Sequence, residues 1–124
     1  MRRYSKQREV ILSVLEGTKS HPTASWVYEK AREIIPNISL GTVYRNLSEL
    51  TDSGEIRCLS TNDEFEHYDF DTSDHCHFFC QKCGRILDVF DVSAKGLSAG
   101  VQKSLVCKVD REEIIFYGTC SDCK

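Results

Sequence analysis

The chain has 124 residues, 28% of them charged and 40% hydrophobic, with a net charge of −3 at neutral pH. No run of about 18 apolar residues occurs, which excludes a transmembrane helix, and no apolar stretch follows the basic start, so no signal peptide is read and the cytosol is the expected compartment. Seven cysteines in a reducing compartment point to metal ligation, and their odd number excludes complete disulfide pairing. A half of about 60 residues is marginal on its own core, so a zinc staple or a dimer interface is expected. Residues 1–57 hold nine lysines and arginines against seven acids, whereas the remainder holds seven against twelve, so any polyanion partner belongs to the first half.

The chain opens with Arg2, Arg3, Lys6 and Arg8 and runs into Val10, Ile11, Val14 and Leu15, an amphipathic helix with Ser5 as N-cap and Gly17 as its stop. Thr23 is placed to cap a second helix, with Val27, Ala31 and Ile34 on one face and Pro36 at its end. Ser39 caps a third, whose buried stripe reads Leu40, Val43, Tyr44, Leu47 and Leu50 and which closes at Ser53-Gly54. Three short helices with tight turns spell a helix-turn-helix core. Strand-like segments over 55–59 and 64–70, joined by the polar tetrad Ser60-Thr61-Asn62-Asp63, form a hairpin directly after the third helix, which is a wing. The polar segment Asp71-Thr72-Ser73-Asp74 reads as a hinge. Beyond it, strands are expected over 75–79, 85–90 and 107–117, with a glycine-interrupted helix over 93–105. The fold class is therefore α+β, a winged helix-turn-helix domain over 1–70 followed by a small α/β, zinc-stapled dimerisation domain over 71–124.

Two metal sites are legible in the second half. Cys80 and Cys83 form one Cys-x-x-Cys knuckle, and Cys120 and Cys123 form another. A lone pair is also the pattern of a redox dithiol, but two pairs supply the four thiolates of a closed, structural Zn2+ site. His75 and His77 are two apart, so on a strand both imidazoles share a face. With Asp69 and Asp88 they offer nitrogen and oxygen ligands that suit Fe2+ or Mn2+ as well as Zn2+; a solvated surface cluster is the alternative. For DNA, the third helix offers Thr42, Tyr44, Arg45 and Asn46 to base edges, and Arg3, Lys6, Arg8 and Lys19 suit phosphates.

The order and spacing of several segments carry a resemblance: Arg3 to Arg8, His21-Pro-Thr-Ala24, the run from Pro36 to Leu47, Asp74-His-Cys-His77, Cys80-Gln-Lys-Cys-Gly84 and Tyr117-Gly-Thr-Cys-Ser-Asp-Cys123. Together they resemble the ferric uptake regulator family, and most its peroxide-sensing branch. The resemblance implies a homodimeric, metal-dependent repressor on double-stranded DNA with a near-palindromic operator, not an enzyme and with no membrane partner. It carries the structural zinc onto Cys80, Cys83, Cys120 and Cys123, and a regulatory Fe2+ or Mn2+ onto His21, Asp69, His75, His77 and Asp88. Peroxide-sensing members are similar to this chain in having Asp at both acidic positions, where iron-uptake members usually have Glu. In that branch a ligating histidine is oxidised, and His21 and His75 occupy the relevant positions. Family members usually carry about one more helix ahead of the first one read here. Asp74 and Cys76 replace histidines of a further metal site found in some members, so no third site is expected. The rival readings are an iron- or zinc-responsive uptake repressor and a thiol-based redox switch.

Overall fold

A computed structural model describes residues 5–92 and 95–124. The chain divides into two compact units, Met1–Thr72 and Ser73–Lys124, so the division falls within the polar segment that reads as a hinge.

Unit 1 begins with α1 (Lys6–Glu16), α2 (Ala24–Arg32) and α3 (Leu40–Asp52). Each helix starts where a short polar side chain replaces a lost backbone partner. Ser5 Oγ accepts from the Arg8 N–H, the Thr23 hydroxyl from Trp26 and Ser39 Oγ from Thr42. The wing is β1 (Arg57–Ser60) paired antiparallel with β2 (Glu66–Asp69), with Arg57 opposite Asp69 and Ser60 opposite Glu66. Ile11, Leu15, Val27, Ala31, Val43, Leu47, Leu50 and Ile56 fill the core between the three helices and the wing.

Three residues depart from the expected stripes. Ile34 is 53% exposed because α2 ends at Arg32 and the chain tightens there, the Ile34 N–H bonding to the Ala31 carbonyl three residues back. Pro36 disfavours helix at the residue before it, and Ile38 is buried beyond the turn instead. On α3, Leu40 and Tyr44 are 38% and 49% exposed, so the buried stripe narrows to Val43, Leu47 and Leu50.

Unit 2 is a three-stranded sheet ordered β4-β3-β5, with β3 spanning Cys76–Cys80, β4 Ile86–Val89 and β5 Ile115–Gly118, plus the helix α4 over Lys95–Leu105. The pair β3 and β4 is antiparallel around the first knuckle, and β5 runs parallel to β3. The strand expected over 107–117 is confined to its last residues. Its neighbour offers only His77–Cys80 for pairing, and the preceding stretch is dominated by Lys108, Asp110, Arg111, Glu112 and Glu113. Gly118 sits where a Cβ would come within 3.2 Å of the Phe78 ring, so a larger residue there would require that ring to shift by a few tenths of an ångström.

Candidate metal centres and DNA-facing surface

The two knuckles meet in unit 2. The ligand atoms of Cys80, Cys83, Cys120 and Cys123 all lie within 4.8 Å of one another, and Cys83 Sγ is 3.9 Å from Cys120 Sγ. A disulfide needs about 2.05 Å, whereas Zn–S bonds of about 2.3 Å put tetrahedral sulfurs roughly 3.8 Å apart. The spacing therefore fits a metal. The backbone supports thiolate: N–H groups of Cys83 and Cys120 point at Cys80 Sγ from 3.5 and 3.4 Å and pull its thiol down to about 6. Burial works to raise Cys120, but hydrogen bonds from the Cys123 side chain and from the Asp122 and Cys123 backbone together outweigh it and lower that thiol. Cys123 is pushed up to about 12, first by its hydrogen bond with Cys120 and then by burial. A divalent ion displaces the protons that remain, which makes its binding pH-dependent. Arg85 donates to Asp122 at 3.1 Å and so ties the two knuckles together.

The candidate histidine and aspartate ligands form a His/Asp pairing in each unit. In unit 2, Asp88 Oδ1 lies 3.1 Å from His75 Nε2 and 3.4 Å from His77 Nε2. The register places His77 opposite Asp88, and His75 immediately precedes β3. His75 Nδ1 is 2.8 Å from the Ser73 carbonyl, which can only accept, so Nδ1 carries the hydrogen and Nε2 is the atom that could ligate a metal. The ring stacks on Phe90 at a centroid distance of 4.7 Å.

In unit 1, His21 Nε2 lies 3.4 Å from Asp69 Oδ2 at the end of the wing. The Asp71 N–H donates to the other Asp69 oxygen at 3.0 Å and orients the carboxylate. His21 has φ 56, a left-handed backbone for a residue that also precedes a proline. Such a conformation costs on the order of 1–3 kcal/mol and persists only where surroundings impose it. Here β2 imposes it, since the Tyr68 N–H donates to the Pro22 carbonyl at 2.9 Å and His67 Nδ1 lies 2.8 Å from the His21 carbonyl.

His67, on β2, lies inside the wing rather than on its solvated face. It is 8% exposed, and its Nε2 is 2.8 Å from Asp63 Oδ2. Partial burial works to raise Asp63, but hydrogen bonds from His67, the Phe65 N–H and Thr61 outweigh it and hold the carboxyl below its ordinary value. The signal was available, because His67 is two residues from Asp69 and shares its face of the strand.

Of the residues nominated for DNA, Tyr44 and Arg45 are exposed on α3, whereas Thr42 and Asn46 are half-buried and engaged within the helix, Asn46 donating to the Thr42 carbonyl at 2.9 Å. Lys6 and Lys19 are exposed. Arg8 is in an ion pair with Glu55 that ties the start of α1 to the entry of the wing. Arg3 lies outside the described residues. Cys107 is exposed, whereas Cys58 is half-buried against the core of unit 1 and donates to Glu66. Among the described residues no helix is long and apolar enough to cross a membrane.

The model of the ferric uptake regulator family matches residues 2–117. The chain belongs to that family. It is similar to the peroxide-responsive repressor PerR of Staphylococcus epidermidis, 34% identical over 98% of this chain and 81% of that protein. Among solved structures it is similar to the Helicobacter pylori ferric uptake regulator Fur, with a TM-score of 0.81 and 27% identity over 98% of this chain and 81% of that one. The Campylobacter jejuni peroxide stress regulator gives a TM-score of 0.80 and 28% identity over 94% of this chain and 88% of that one. Fold likeness thus embraces both peroxide and iron regulators, and the ligand chemistry must separate them.

Proposed function

We propose that this member of the ferric uptake regulator family is a metal-dependent transcriptional repressor that senses peroxide at a site made by His21, Asp69, His75, His77 and Asp88. The observation that carries the reading is an Asp beside His in both units, in a chain 34% identical along 98% of its length to a peroxide-responsive repressor. Three imidazoles and two carboxylates suit Fe2+ or Mn2+. Bound iron supplies the one-electron chemistry by which peroxide oxidises a ligating histidine, whereas manganese supports repression without sensing.

The chain's own residues supply the switch. His21 and Asp69 belong to the DNA-reading unit, and His75, His77 and Asp88 to the second unit. A metal taken by all five favours the one arrangement in which they converge, and only its differential affinity for that arrangement can do work on DNA binding. The usual scale of such coupling is about 1–3 kcal/mol. Losing one imidazole to oxidation releases the clasp. Tyr44 and Arg45 read bases from α3, and Lys6 and Lys19 meet phosphates, so affinity falls steeply with salt.

A homodimer is supported by the apolar surface of unit 2. Leu97, Val101 and Leu105 on α4 and Phe116 and Tyr117 on the edge strand β5 are exposed together in one small unit. An uncovered apolar edge of that kind is ordinarily paired. In such a dimer two α3 helices enter successive major grooves about 34 Å apart on a near-palindromic site.

The test is mass spectrometry of iron-loaded protein after a small peroxide dose without oxygen. One added oxygen atom on His21 or His75 supports the reading, and unmodified histidines with lost DNA binding reject it. The second reading, an iron-responsive uptake repressor, is favoured by the likeness to the Helicobacter pylori structure; it expects DNA binding that follows metal supply and ignores peroxide.

A further inference from the structure

We propose that His67 is a positioning residue that holds His21 in its ligating pose by anchoring the His21 carbonyl to the wing turn through Asp63. The proposal rests on the reading of His21 as a regulatory ligand. The imidazole bridges two acceptors, the His21 carbonyl at 2.8 Å from Nδ1 and the Asp63 carboxylate at 2.8 Å from Nε2. One end of the bridge fixes a backbone that would otherwise leave the left-handed region, since His21 has φ 56 and no glycine's freedom. The other end fixes the turn, where Asp63 also accepts from the Phe65 N–H and the Thr61 hydroxyl.

The composition of the wing fits this inward role. Between Ser60 and His67 it carries Asp63, Glu64 and Glu66 and neither lysine nor arginine, so its tip has no cation to offer a phosphate backbone. Asp63 is instead turned toward the buried His67. The bridge also makes the wing part of the metal site, since β2 carries Asp69, His67 and the Tyr68 N–H on the Pro22 carbonyl.

The test uses two near-isosteric substitutions in the full-length, zinc-replete protein, with Mn2+ titrations followed by electron paramagnetic resonance. His67→Asn places an amide N–H where Nδ1 was and keeps the bond to the His21 carbonyl. His67→Gln places it where Nε2 was and keeps only Asp63. Partners that orient a ligand are typically worth about 10- to 100-fold in metal affinity, so His67→Gln should weaken Mn2+ by that factor while His67→Asn recovers most of it, with the four-cysteine zinc retained in both. Equal affinities in the two variants, whether unchanged or equally weakened, overturn the positioning role and leave His67 as a packing residue. His21→Ala in the same assay checks the underlying reading: if it binds Mn2+ like the wild type, His21 is not a ligand and the positioning role falls with it. If His21→Ala abolishes binding while the two His67 variants agree, only the positioning role fails.

Discussion

At the residue scale the molecule is governed by which acceptor or donor each titratable side chain faces. Asp88 serves two imidazoles with one oxygen, so removing its charge disturbs both. Asp88→Asn should weaken Mn2+ binding by at least about tenfold and leave the zinc in place, as metal analysis after dialysis would check. Asp63 gives the cleanest pH prediction. Its carboxyl sits below the ordinary value of 3.8 in the folded chain, so ionisation favours folding. The contribution is present above that ordinary value and is lost as the pH falls below it through the folded-state pKa. Acid unfolding of Asp63→Asn, compared with the wild type, should show a smaller loss of stability in that window; identical profiles would contradict the assignment. The face that His67 shares with Asp69 was legible, but its partner was not, because that contact is with the loop forty-six residues earlier in the chain, which no local pattern encodes. The four cysteines were plain because their spacing alone specifies the ligand set.

At the scale of elements, what was legible is what is local. Ser5, Thr23 and Ser39 announce their helices because each cap satisfies an N–H within three residues, and the wing follows from strand-like runs about a polar tetrad. What was not legible is set by partners. Residues 107–113 precede the stretch that pairs with β3, and Leu40 and Tyr44 lie at the helical period yet outside the arc that α1 and α2 cover. Two substitutions separate local from tertiary terms. Thr23→Ala should cost about 1 kcal/mol through the lost cap, whereas Leu47→Ala, in a fully buried side chain, should cost about 2–5 kcal/mol. Urea unfolding measures both, and equal losses would mean that the cap is tied to the core through more than one hydrogen bond.

At the scale of the whole molecule, the proposed function links stability, assembly and DNA binding through metal. Unit 2 has a three-stranded sheet and one helix, too little to bury a sufficient core, and the four-cysteine site staples β3 to the C-terminal knuckle. Stripping zinc with a strong chelator should unfold unit 2 and abolish dimerisation together, visible as lost circular dichroism and a halved mass by light scattering. Leu97→Asp, on the exposed face of α4, should separate these effects by giving a zinc-replete monomer; a zinc-replete dimer would place the interface elsewhere.

The most direct measurement is operator binding by zinc-replete protein loaded with Fe2+ or with Mn2+, without oxygen, before and after one small dose of hydrogen peroxide. The account predicts that the iron form releases DNA and the manganese form holds it. If both forms hold, the protein reports metal supply and the peroxide reading is wrong.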